Sequence, residues 1–246
     1  LILSIYALLA LAALIGGAIN SVAGGGSFLT FPALLFAGVP AIPANATNNT
    51  AMFLGVIASA RGYREEIRRY RGVIVPALIV STVGSLIGAV LLLHTPPRTF
   101  ERLVPWLLLF ATVVFAVSPL LTRQKERADV HSPLQLLLQF FVSIYGGYFG
   151  AGIGILMLAI LSFSGLPNLN AMNGVKNMLS ITINGVAVIP FLIAGVINWP
   201  LALLMAVFSM AGGYAGARIF RRLPSNVSRG VVLVIAVSMT TYFFVH

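Results

Sequence analysis

The sequence repeats its own punctuation at a spacing of 128 residues. Gly24 falls on Gly152 and Gly26 on Gly154; Asn45 falls on Asn173 and Asn49 on Asn177. Ser81, Gly84, Gly88 and Ala89 fall on Ser209, Gly212, Gly216 and Ala217, and Pro96 falls on Pro224. Gly38-Val-Pro and Gly165-Leu-Pro align one residue out of register, as a one-residue insertion or deletion would leave them. Apolar positions match by accident in an apolar chain. Glycines, prolines and asparagines holding one offset do not. An internal duplication follows, with repeats 1–122 and 134–246 joined by the polar linker 123–133.

What is duplicated is set by hydropathy. Of the 246 residues 59% are hydrophobic and 8% charged, and the mean hydropathy is +1.01. A soluble domain carries about 25% charged residues. Several runs approach the ~20 apolar residues a spanning helix needs. The expected class is therefore an all-α polytopic protein of the cell (inner or plasma) membrane, with the lipid bilayer as its partner. The opening run "LILSIYALLALAALIGGAIN" has no basic residue and reads as a first transmembrane helix, not a signal peptide. The first residue is Leu, and a few residues are expected to precede it.

The net charge of +10 does not point to nucleic acid, because the basic residues sit in short loops, as in cytoplasmic membrane loops. There is no cysteine, which excludes disulfides and thiolate metal sites. No cofactor is expected.

The basic loops orient the repeats. Arg61, Arg64, Arg68, Arg69 and Arg71 crowd one loop, whose equivalent near Gly195–Pro200 is uncharged. The loop near Pro96 has Arg98 and Arg102, while its equivalent has Arg218, Arg221, Arg222 and Arg229. Alternation of sides places loops 61–72, 122–132 and 218–229 in the cytoplasm, with twelve Lys/Arg against two outside. Equivalent loops then face opposite ways. That is an inverted-topology repeat, a plan common among secondary transporters.

The expected segments are 1–23, a short 27–37, 45–61, 73–93 and 103–121, then 134–150, a short 154–164, 171–194, 198–218 and 229–246. The short pieces are broken or half-helices, too short for a ~30 Å core. They follow Gly24-Gly25-Gly26-Ser27 and Gly150-Ala-Gly152-Ile-Gly154. Broken backbone at membrane depth is tolerated only where protein buries it or it lines a cavity. Each break precedes a helix N-terminus, which offers donors and partial positive charge to an anion. The competing reading is close helix packing, and it is favoured for Gly84/Gly88 and Gly212/Gly216.

Asn45 and Asn173 stand where they cap the following helices or line a site. Thr47, Asn48, Asn49 and Thr50 form a polar run inside a membrane helix, where side chains face the protein interior or a water-filled path. Lys176, beside Asn177, is the one charge in an expected helix body. An unpaired buried cation costs at least ~2.5–3.5 kcal/mol. Lys176 therefore either meets an anionic substrate or snorkels to the interface. Trp106 and Trp199 are expected near helix ends as interfacial anchors. Phe28, Phe31, Phe36, Phe149 and Phe163 wall a cavity or face core and lipid.

At these residues the chain resembles the TauE/SafE sulfite exporters, also called the toluene-sulfonate uptake permease family. The resemblance is carried by "VAGGGSFLTFPALLFAGVPAIPANATN" and "GAGIGILMLAILSFSGLPNLNAMNGVKN" and extends over essentially the whole chain. It implies a carrier of sulfite, sulfonates or related organic anions. The second block has Asn-Gly-Val-Lys where the first has Ala-Thr-Asn-Asn, so the two half-sites are chemically unequal.

No Asp, Glu or His lies within an expected span; His94, His131 and His246 fall in loops or at the terminus. A side-chain proton relay is not expected. The substrate carries its own proton, or it moves as an anion. For a single negative charge, a negative-inside potential favours export by ~2.3 kcal/mol per 100 mV. Alternating access between the halves is the expected mechanism, with an anion-selective channel as the rival. An intramembrane enzyme lacks a catalytic set, and a purely structural protein would not need mirrored breaks. Self-association is left open.

Overall fold

The computed structural model describes residues 2–121, 132–219 and 225–245. These residues are helical apart from short connections. The first repeat holds α1 (Ile2–Val22), α2 (Ser27–Phe36), α3 (Ala41–Ala60), a 3-10 turn (Arg61–Tyr63), α4 (Arg64–Arg69), α5 (Arg71–His94) and α6 (Pro97–Leu121). The second holds α7 (Pro133–Tyr148), α8 (Ile153–Leu161), α9 (Leu169–Ile193), α10 (Trp199–Ile219) and α11 (Ser225–Val245). Helix starts at 41, 71 and 97 recur at 169, 199 and 225, each 128 residues later. Most of the linker 123–133 and of loop 122–132, positions 220–224 of loop 218–229, and His131 and His246 lie outside the described residues.

Among the described residues four helices are long and apolar enough to cross a membrane: Leu3–Val22, Ile74–His94, Leu169–Ile193 and Trp199–Arg218. Ile79, Ile193, Val207 and other large apolar side chains on them are exposed, which water would not tolerate in such number. The chain is a multi-pass membrane protein. α2 and α8 have 10 and 9 residues. At 1.5 Å per residue they reach roughly half of the ~30 Å hydrocarbon core.

Several boundaries differ from the sequence reading. α3 and α9 begin at Ala41 and Leu169, so Asn45 and Asn173 lie one turn inside and cap nothing. The N-cap of α9 is Asn168, whose side chain accepts from the Ala171 N–H at 2.9 Å. α6 begins at Pro97, where a proline costs no hydrogen bond, and this places Trp106 in the helix body, 62% exposed. Loop 61–72 is itself largely helical. Glu65 and Glu66 in the first turn of α4 and Arg68 and Arg69 in its last match the helix dipole.

The halves interlock. α1 packs on α10 and α7 on α5, so each first helix lies against the other repeat. α3 packs on α10 and α9, and α5 on α9. Close approach explains the small-residue stripes. A Cβ on Gly88 would stand 2.0 Å from the Ile144 carbonyl of α7, and one on Gly212 would stand 1.9 Å from the Leu14 carbonyl of α1. The packing reading of these glycines holds. Phe28, Phe31 and Phe149 are fully buried around the breaks, with Phe31 edge-on to Phe149 at 5.3 Å, whereas Phe36 and Phe163 are exposed.

Candidate functional site

Both breaks form where expected. α1 stops at Val22 and α2 starts at Ser27; α7 stops at Tyr148 and α8 starts at Ile153. Gly24 (φ +79°) and Gly152 (φ +75°) take the left-handed conformation at equivalent positions. That conformation costs other L-residues about 1–2 kcal/mol. At the start of α2 the Phe28 N–H donates to Gly25 O, and Leu29 and Thr30 donate to Gly26 O. Gly25, Ser27 and Gly150 are buried with them.

The two breaks meet. A Cβ on Gly24 would stand 2.4 Å from the Gly154 Cα, so the backbones touch and nothing fits between them. No room for an anion is left between these two glycines. Gly26 packs against the Gly16 carbonyl of α1, and Gly152 against the Ala111 methyl and the ring of Phe28.

The polar helix of each repeat serves the break of the other. Lys176 of α9 is 1% exposed, which removes the snorkelling reading. Its ammonium donates to the carbonyls of Asn20 at 2.9 Å and Ser21 at 3.4 Å. These belong to the last turn of α1, where carbonyls lack helical partners and the dipole is negative. At the other break, Asn45 Nδ2 of α3 donates to Tyr148 O, the last residue of α7, at 3.0 Å. Tyr148 is the equivalent of Asn20, so the same carbonyl is held in both repeats by different residues.

Around these contacts several amide atoms are buried without a protein partner: Asn45 Oδ1, both polar atoms of Asn49, Asn173 Oδ1 and Asn177 Oδ1. Asn49 Nδ2 lies 3.6 Å from where a Gly150 Cβ would be. Asn177 Nδ2 donates to Ser59 Oγ at 3.2 Å. The rest of the polar run is spoken for. Thr47 accepts from the Asn198 N–H at the start of α10, Thr30 donates to Asn48, and Thr50 donates to Ala46 O.

A broad cavity of about 1220 Å³ opens at the far ends of α3 and α10 rather than at the breaks. Arg61, Arg64, Arg218, Glu65, Glu66 and Asn170 are among its lining residues. From Asn170, Asn173 and Asn177 follow at helical spacing along α9 into the interior. Among the described residues no group of three His, Cys, Asp or Glu could hold a metal.

Sequence reasoning missed Asn20, Ser21 and Ser59. The first two act through backbone carbonyls, which every residue has, so no side-chain pattern marks them. Ser59 is one small polar residue at the end of a helix, indistinguishable there from a packing serine.

Residues 9–243 match the family described as sulfite exporter TauE/SafE. The chain belongs to the TauE/SafE family. Among its relatives is a protein of Sinorhizobium sp. named "Probable membrane transporter protein ORF9", 27% identical over 96% of this chain and 90% of the relative. A "Probable membrane transporter protein" of Haemophilus influenzae is 28% identical over 90% of this chain and 88% of its own. Escherichia coli K12 YfcA, named in the same terms, is 26% identical over 93% and 85%. No solved structure matches the chain significantly. Membership makes this protein a membrane transporter of the TauE/SafE type. Its two glycine-rich blocks fall on the two breaks and on the helices whose side chains hold them.

Proposed function

We propose that this TauE/SafE protein exports small sulfur-containing oxyanions, such as sulfite or organosulfonates, by alternating access around an interior site between α3 and α9. The observation that carries the reading is Lys176. The Lys176 amine sits in the protein interior on two backbone carbonyls, and among the described residues no carboxylate is its partner. Carbonyl dipoles stabilise an ammonium less than a full negative charge does. An anion at the ends of the breaks would complete its neutralisation.

The unmet amides refine the substrate. Asn49 Nδ2 is a donor without a partner, while the Oδ1 atoms of Asn45, Asn173 and Asn177 are acceptors without one. An oxyanion still carrying a proton supplies both kinds of partner. Hydrogen sulfite is such an ion. It would bring its own proton to the buried Lys176 amine and the unmet asparagine amides.

The reading takes the halves as inverted repeats that rock about the glycine contact. It is supported by exchanged packing, α1 on α10 against α7 on α5. The direct contact of Gly24 with Gly154 favours a carrier over a channel, since an open pore cannot pass between touching backbones. The Arg-lined cavity serves as the cytoplasmic mouth, and the Asn170–Asn173–Asn177 face as the path inward.

Proteoliposome flux of sulfite under an imposed potential tests the proposal. Saturable efflux that grows with a negative-inside potential is expected, ending at an outside-to-inside concentration ratio of up to ~50 per 100 mV for a monovalent anion. Flux that neither saturates nor distinguishes sulfite from chloride would overturn it.

A further inference from the structure

Arg61 of the 3-10 turn, Arg64 and Arg68 of α4 and Arg71 at the start of α5 all border one groove. All four are exposed. They border a groove of about 460 Å³ that is distinct from the broad cavity. Its floor includes Ile57 of α3, Ile67 of α4 and Ile181 of α9, each partly exposed. No carboxylate lines it, whereas Glu65 and Glu66 line the broad cavity. The segment thus divides its charges. The acids line only the broad cavity, Arg68 and Arg71 stand only over the apolar floor, and Arg61 and Arg64 border both.

The general excess of basic residues in cytoplasmic loops explains that arginines are here. It does not explain four around one groove floored by isoleucines of α3, α4 and the membrane-span helix α9. A soluble anion gains nothing from such a floor. We propose that this groove binds an anionic phospholipid of the cytoplasmic leaflet. The phosphate lies among the guanidiniums, whose planar forks match phosphate oxygens, and an acyl chain covers Ile57, Ile67 and Ile181. Arg61 and Arg64 line both the groove and the broad cavity, so a bound headgroup would also change the charge at that cavity's wall.

The test compares purified protein in nanodiscs of phosphatidylcholine with and without phosphatidylglycerol. Thermal unfolding and native mass spectrometry of retained lipid are the readouts. Phosphatidylglycerol should raise Tm by about 2–4 °C and remain bound. Arg68→Gln with Arg71→Gln, which border the groove and not the broad cavity, should lose most of both effects. Arg98→Gln with Arg102→Gln, at the start of α6, should keep them. Inorganic phosphate at matching concentration should leave Tm unchanged. Equal stability in both lipids, equal loss in the Arg98/Arg102 variant, or reproduction of the shift by free phosphate would each overturn the site.

Discussion

Thr112 of α6 and Thr240 of α11 share a hydrogen bond at 3.1 Å, and they are the same position of the two repeats. With one proton on each hydroxyl, one threonine donates to the other while its partner donates to the carbonyl four residues back in its own helix, Leu108 O or Ala236 O. The pair joins α6 to α11 at positions 128 residues apart.

That contact can be trapped. The chain has no cysteine, so Thr112→Cys with Thr240→Cys introduces one unambiguous pair. The double variant should oxidise nearly completely to a disulfide, read as a mobility shift on non-reducing gels. Thr112→Cys alone should not. Failure of the pair to cross-link would show that α6 and α11 do not meet at this register.

The breaks make a sharp contrast between two glycines of similar φ. Gly24→Ala places a methyl against the Gly154 backbone and should cost about 3 kcal/mol or more, strain and overpacking together. Gly38→Ala, at φ +82° with nothing within 4 Å, should cost only the backbone term, about 1–2 kcal/mol. Thermal unfolding in one detergent compares them. Equal Tm losses would mean that the two breaks do not touch.

Asn45 and Asn49 lie one turn apart on α3 and should behave oppositely. Asn45→Ala removes the donor to Tyr148 O and should destabilise by about 1–3 kcal/mol. Asn49→Ala deletes two buried polar atoms that have no protein partner, and without substrate it should be neutral or stabilising. It should nonetheless shrink the Tm rise produced by sulfite. An Asn49 variant that is strongly destabilised with its sulfite response intact would make Asn49 a structural residue.

Lys176→Met keeps a long side chain and removes the buried charge. Two α1 carbonyls lose their donor, at about 1–3 kcal/mol. The desolvation of a cation is relieved in return. The net stability change should be small, while thermal stabilisation by sulfite is lost. A full sulfite response in this variant would remove Lys176 from the substrate site.

Much of the fold was legible in the residue string. Glycine and proline write helix boundaries locally, so the breaks at 24–26 and 150–154 and the short helices after them are where the punctuation puts them. The start of α3 was misplaced because Asn45 has the chemistry of a cap without the position of one. Capping depends on which residue leaves helical φ and ψ first, and proline at position 40 decides that upstream.

What the sequence alone determined is what covalent neighbours and solvent preference dictate: the long and the short helices, their interruptions and their residence in lipid. Which carbonyl Lys176 satisfies was decided only by tertiary structure, because Asn20 lies 156 residues away and the bond forms across the repeats. The same holds for the contact of Gly24 with Gly154 and for the amides left without partners. These depend on how two copies of one bundle interlock, and interlocking is a property of shape between distant segments that no local pattern encodes.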